Sequence, residues 1–121
     1  MRLPRKFSIT QRAEFARVRE HGKSRPGRYL VVSVLHSAEL EHFRLGLITT
    51  KKVGRAHERN LLRRRFRAIV REHGEQLKPD YYIVTIARWR AKEATYAELE
   101  KDWLKQAHKL GIMISEKEAA V

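Results

Sequence analysis

The chain has no cysteine, which excludes disulfide scaffolds, thiolate zinc centres and thiol nucleophiles. No apolar run approaches the length of a membrane span. The opening Met1-Arg2-Leu3-Pro4-Arg5-Lys6 is basic but has no apolar core, unlike a secretory signal. A cytoplasmic location is therefore expected. Glycine is sparse, six residues scattered through the chain, so no Gly-rich phosphate loop exists. Acids are scarce: 14 Asp and Glu face 27 Lys and Arg, a net charge of +13. Such an imbalance implies a polyanionic partner. No pair among His21, His36, His42, His57, His73 and His108 has the spacing of a metal motif, and no serine stands in a nucleophile motif. No protein active site, bound metal, protein-bound cofactor or small-molecule substrate is expected. If the chain takes part in catalysis, another molecule carries the chemistry.

What is present is organised. Residues 1–28 and 51–72 each carry a net charge of +7, residues 29–50 carry −1, and residues 73–121 are neutral. A charged surface made only for solubility needs no such blocks, whereas a polyanion-binding face built from two segments does. With 121 residues, 42% of them apolar, the chain can form one modest core.

The element reading is as follows. Ser8 or Thr10 can cap a first helix reaching about Arg19, with Gly22 as its stop. Residues 24–27 read as a loop. Residues 29–35 and 43–49 read as two strands forming a hairpin, and a short third strand is expected at 50–53. A helix follows over 57–73, then a strand over 80–87. A last helix starts from the capping box Thr95-x-x-Glu98 and ends near Gly111. The order α-β-β-β-α-β-α predicts an α+β fold, a single two-layer domain over 1–114, with a frayed tail over 115–121.

The helix at 57–73 carries the most information. At about 100° per residue, Leu62, Phe66, Ile69 and Val70 share one face, and Asn60, Arg63, Arg64, Arg67 and Arg71 lie on the opposite side. Between Arg55 and Arg71 there are seven arginines and no lysine. The guanidinium fork holds phosphate bidentately and stacks on bases. Like charges at this spacing repel unless a polyanion reverses the sign. Lys51, Lys52 and Gly54 lead into the N-terminal end, where Arg55 and Arg59 sit against the helix dipole and a phosphate would be welcome. The segment Arg88-Trp89-Arg90-Ala91-Lys92 reads as a basic loop with an exposed indole. The candidate functions include a ribosomal-protein-like structural RNA binder and a duplex-DNA module. Membrane binding is disfavoured because the apolar side of the Arg-rich helix is needed for the core.

The run from Thr50 to Arg67, with its Lys51-Lys52-x-Gly54 lead, its Arg59-Asn60 pair and its Arg63-Arg64 and Arg67 continuation, resembles the signature of the bacterial ribonuclease P protein subunit. Phe15 before His21-Gly22, the Phe43-Arg44-Leu45-Gly46 strand and the Asp80-Tyr81 strand start fall in that family's order. The resemblance implies a mixed sheet with a left-handed β-α-β crossover, as in ribosomal-protein-like folds. It implies an accessory role in removing the 5′ leader of precursor tRNA. The catalytic RNA holds the active site and its Mg2+. By the same resemblance Lys51, Lys52, Arg55, Arg59, Asn60, Arg63, Arg64, Arg67 and Arg71 contact that RNA. A cleft between the first helix and the sheet, with Arg12, Phe15, Arg19, Ser33, Arg88 and Arg90, takes the leader. The chain departs from the pattern at Leu61, where the family has arginine, and at Arg19 and Ser33, where many relatives carry aromatics.

Overall fold

The structure, a computed structural model, describes residues 4–114. After a 3-10 turn at Arg5–Phe7, the elements are α1 (Arg12–His21), β1 (Lys23–Pro26), β2 (Leu30–His36), β3 (Arg44–Ile48), α2 (Ala56–Glu72), β4 (Tyr81–Ala87) and α3 (Tyr96–Leu110). The α+β order is the expected one. The expected tail at 115–121 lies outside the described residues.

The sheet has the order β1-β2-β4-β3, with β3 parallel to β4 and the other pairs antiparallel. This corrects the expected hairpin, because β2 and β3 are not neighbours: β4 lies between them. The reason is in β4 itself. Its run Tyr-Tyr-Ile-Val-Thr-Ile-Ala is buried on both faces and does not alternate. Such a strand seeks a ladder on each side and both faces covered. The chain therefore leaves β3, passes through α2 and returns as a parallel neighbour, the connection that parallel strands require.

Two local expectations also fail. The segment read as a loop contains β1, which pairs Ser24 with Ser33 and Pro26 with Val31. All four residues of β1 are exposed, so no apolar pattern announces it. Lys23, Arg25 and Pro26 suit an edge strand that discourages further pairing. The short strand expected at 50–53 is instead a turn that buries Val53 and delivers the chain to α2. Helix α1 starts later than expected, from Gln11, whose backbone N–H donates to the Glu14 carboxylate at 3.3 Å.

One sheet face carries the main core. Leu62, Phe66, Ile69 and Val70 of α2 and Leu99, Trp103 and Ala107 of α3 pack there on Leu30, Val32 and Ile83. The buried Trp103 indole N–H donates to Thr85 Oγ1 at 3.0 Å, so the deepest aromatic leaves no polar group unsatisfied. At the start of α3 the Thr95 hydroxyl accepts the Glu98 N–H at 3.1 Å, and the Glu98 carboxylate returns the bond to the Thr95 N–H at 3.0 Å. Gly111 ends the helix in the left-handed conformation at φ 74°. The opposite face is covered only in part, by α1 and Ile9 against Tyr82, Val84, Ile86 and Ile48. That asymmetry leaves a groove.

Candidate nucleic-acid interface

The groove is set by strand alternation. Val31 and Ser33 of β2, Val84 and Ile86 of β4 and Ile48 of β3 point to the α1 side, while their sequence neighbours enter the main core. Register aligns them in rungs: Ile86 lies opposite both Val31 and Ile48, and Val84 lies opposite Ser33. With Phe15, Val18 and Arg19 of α1 they enclose a cleft of about 200 Å³. Its rim carries a hydroxyl pair, Ser24 Oγ and Ser33 Oγ at 2.6 Å. The cleft thus offers a flat apolar floor, one aromatic ring, one guanidinium and two hydroxyls. Bases can lie on such a floor while backbone phosphates meet the cation at the edge.

Phe15 is seated by an absence. A Cβ on Gly46 would come within 2.4 Å of the Phe15 ring, so only glycine lets the ring reach the sheet. A second, shallower pocket of about 150 Å³ continues from there, lined by Phe15, Gly46 and Leu47 and by Arg63 and Arg67 of α2. The groove and the arginine helix therefore share a border at the β3 edge.

Helix α2 has the phase expected from its sequence. Leu62, Phe66, Ile69 and Val70 are buried, and Asn60, Arg64, Arg67 and Arg71 are exposed. Arg63 is half-buried and donates to Asn60 Oδ1 at 2.8 Å. Among the described residues, none of Arg55, Arg59, Arg63, Arg64 and Arg67 makes an ion pair with a carboxylate. The ridge is a run of uncompensated cations, and Arg59 Nε is buried without a hydrogen-bond partner. Arg65 behaves differently: it turns to the protein and donates to Ala94 O at 3.2 Å. Leu61 is 39% exposed on the solvent side.

The N-terminal end of α2 is shared between cations and one acid. Lys51, Lys52 and Arg55 are exposed there. Gly54, at φ 156°, lets the Glu58 carboxylate fold back to the place a side chain would fill. Glu58 accepts the Arg55 backbone N–H at 3.0 Å. That bond, aided by the charges of Lys92, His57 and Arg55, holds its carboxyl below the usual glutamate range. One donor that the sequence offered to a phosphate is thus satisfied internally.

The six residues assigned to a leader cleft divide. Phe15, Arg19 and Ser33 line it. Arg12 is exposed on the first turn of α1, on the side of the helix that carries Phe15 and Arg19. Arg88 is tied to the β1–β2 turn, its guanidinium donating to Gly27 O at 2.8 Å and its N–H to Tyr29 O at 2.9 Å. Arg90 lies over the Trp89 ring at 4.8 Å, and that indole is 54% exposed, as the sequence suggested. Sequence reading missed Ser24, Val31, Ile48, Val84 and Ile86 as groove residues. The period-two alternation of β2 around Ser33 carried the signal, but β1 had been taken for a loop and Ser24 had no strand to belong to.

Comparison with known proteins agrees with this arrangement. The family model described as Ribonuclease P matches residues 3–111. A ribonuclease P protein component from Syntrophomonas wolfei is 37% identical over 110 residues, covering 91% of this chain and 92% of that one. One from Clostridioides difficile is 39% identical over 90 residues, covering 74% of this chain and 78% of that one. Among solved structures, the Staphylococcus aureus RNase P protein superposes with a TM-score of 0.83 at 29% identity, over 88% of this chain and 97% of that one. The Thermotoga maritima RNase P protein superposes with a TM-score of 0.73 at 26% identity, over 81% and 92%. The signature helix, the element order, the sheet topology and these matches together make the chain a member of the bacterial ribonuclease P protein family.

Proposed function

We propose that this chain is the protein subunit of a ribonuclease P holoenzyme, acting in the removal of the 5′ leader from precursor tRNA. It works by holding RNA. The observation that carries this reading is the ridge of Arg55, Arg59, Arg63, Arg64 and Arg67, without carboxylate partners among the described residues and built beside an apolar groove with a cationic rim. A polyanion bound along the ridge removes the like-charge repulsion that the fold leaves standing.

In this reading Lys51, Lys52, Arg55, Arg59, Asn60, Arg63, Arg64, Arg67 and Arg71 face the catalytic RNA. Phe15, Arg19 and Ser33 hold the single-stranded leader, with Arg12, Arg88 and Arg90 outside the groove lining as further phosphate contacts. The groove suits a single strand: its floor is apolar and carries no array of donors that would read a base sequence. The reacting phosphodiester and its Mg2+ belong to the RNA subunit. The chain supplies orientation and charge neutralisation, which lowers the Mg2+ concentration the RNA needs. No helix among the described residues is long and apolar enough to cross a membrane; in this reading the work on precursor tRNA is cytoplasmic.

The test is cleavage of a precursor tRNA by the RNA subunit at near-physiological Mg2+, with and without the chain. Stimulation that grows with leader length is expected. An unstimulated reaction, with tight binding to folded ribosomal RNA instead, would establish the structural RNA-binder alternative.

A further inference from the structure

Away from the groove and ridge, the C-terminal end of α2 meets α3 in the one corner of the described residues where side chains with metal-ligand chemistry converge. Glu72, His73 and Glu100 each turn one ligand atom to a common point, all within 4.8 Å of one another. His73 Nε2 lies 3.1 Å from Glu100 Oε2. Its other nitrogen, Nδ1, lies 3.3 Å from Gln76 Oε1. An imidazole that donates Nδ1–H to an amide oxygen keeps the Nε2 lone pair for a cation, which is how a second shell orients a metal-binding histidine.

One further feature favours an added cation at this corner. Glu72 and His73 stand at the end of α2, where the exposed carbonyls already make anions unwelcome. Arg71 brings one positive charge to this corner, set against the two carboxylates and felt at Tyr96. The crowding of negative charge is felt by Tyr96, which donates to Glu72 Oε2 at 3.5 Å. Burial, then the charges of Glu72 and Glu100, push its phenol above the usual tyrosine range against the opposing charge of Arg71.

We infer that Glu72, His73 and Glu100 form a binding site for a divalent transition-metal cation such as Zn2+ or Mn2+, pinning the end of α2 to α3. One nitrogen and two carboxylate oxygens suit such ions better than Mg2+, which prefers an all-oxygen, hydrated shell. Bonds of about 2.0–2.2 Å require the three atoms to close by a rotamer adjustment of the carboxylates. The remaining coordination position faces outward, on the exposed side of Glu72.

The experiment uses the full chain, labelled with 15N, and substoichiometric Mn2+. Amide broadening centred on residues 72, 73, 76 and 100 is expected, together with one Zn2+ site by calorimetry. The triple variant Glu72→Gln, His73→Gln, Glu100→Gln should lose that site, and Gln76→Ala should weaken it about tenfold through the freed imidazole. His36→Gln, which removes the close His36–Asp80 pair, should leave it unchanged. Circular dichroism checks that the variants fold. Broadening centred on His36 and Asp80, no broadening, or equal Zn2+ affinity in the triple variant would overturn the inference.

Discussion

Arg64, Arg65 and Arg67 are near neighbours in sequence but have different surroundings, so truncating each one separates charge from fold. Arg64 and Arg67 are exposed and without carboxylate partners. Alanine at either place breaks no hydrogen bond or ion pair among the described residues and relieves a little like-charge repulsion, so stability should stay within about 0.5 kcal/mol of wild type. Each should lower affinity for the RNA subunit by about 1–3 kcal/mol, roughly 5- to 150-fold. The slope of log affinity against log salt should fall by about 0.7–0.9, one phosphate contact's worth. Arg65→Ala should do the reverse. It loses the bond to Ala94 O, costing about 1–2 kcal/mol of stability, and leaves the salt slope unchanged. Filter-binding titrations at four salt concentrations, paired with urea denaturation, give all the numbers. If Arg65→Ala changes the slope as much as Arg67→Ala does, or if Arg64→Ala and Arg67→Ala leave affinity untouched, the outward stripe is not the RNA face.

The remaining predictions concern the supports of that surface. Phe66→Ala empties a fully buried site beneath the ridge and should destabilise the fold by about 3–5 kcal/mol, read by denaturant midpoint. Gly46→Ala should push Phe15 off the sheet, cost about 1–3 kcal/mol, and weaken binding of a leader-bearing tRNA more than that of mature tRNA; equal losses for both would detach Phe15 from the leader. Leu61→Arg should steepen the salt slope by up to about 0.9 at unchanged stability, since the side chain it replaces is solvent-facing. Glu58 and Glu98 cap α2 and α3 as carboxylates, each held below its ordinary range, Glu98 first by the Thr95 N–H and then by the Tyr29 hydroxyl. A depressed folded-state pKa stabilises the fold fully above the unfolded glutamate value, about 4.3, and that contribution fades as pH falls through the depressed value. Glu58→Gln should therefore flatten the acid limb of a stability–pH profile, and a limb unchanged in slope would exclude the cap.

What was legible in the sequence followed from strong periodicity and from charge. Helix α2 could be phased because four large apolar residues recur on one face against arginines on the other, and the structure buries Leu62, Phe66, Ile69 and Val70. Helix α3 could be started to the residue because Thr95 and Glu98 satisfy each other's backbone donors. The pairing of strands was not legible. Nothing local to residues 30–48 records that β4, which starts 33 residues after β3 ends, will lie between β2 and β3. The information was in β4's lack of alternation, a property of the partner and not of the pair. Strand β1 was hidden for a different reason: an exposed edge has no burial to pattern it. The groove inherited both errors, since its floor is defined only once Ser24, Val31, Val84 and Ile48 share a sheet.

That misplaced strand also explains why groove and ridge belong to one surface. Had β2 and β3 paired as a hairpin, β3 would have been interior to the sheet, and the border of α2 would have faced another strand. With the order β1-β2-β4-β3, β3 lies at the edge, and the chain enters α2 directly from it. Edge position brings Arg63 and Arg67 to the pocket that Gly46 and Phe15 also line. In the proposed reading, a strand of RNA leaving the apolar floor would meet the guanidinium groups of Arg63 and Arg67 next. Glu14 of α1 is paired with Arg44 at 3.3 Å. Charge alone would have made this chain a general polyanion binder. The parallel crossover, by putting the arginine helix at the lip of an apolar trough, gives that charge a direction along which a single strand can be led.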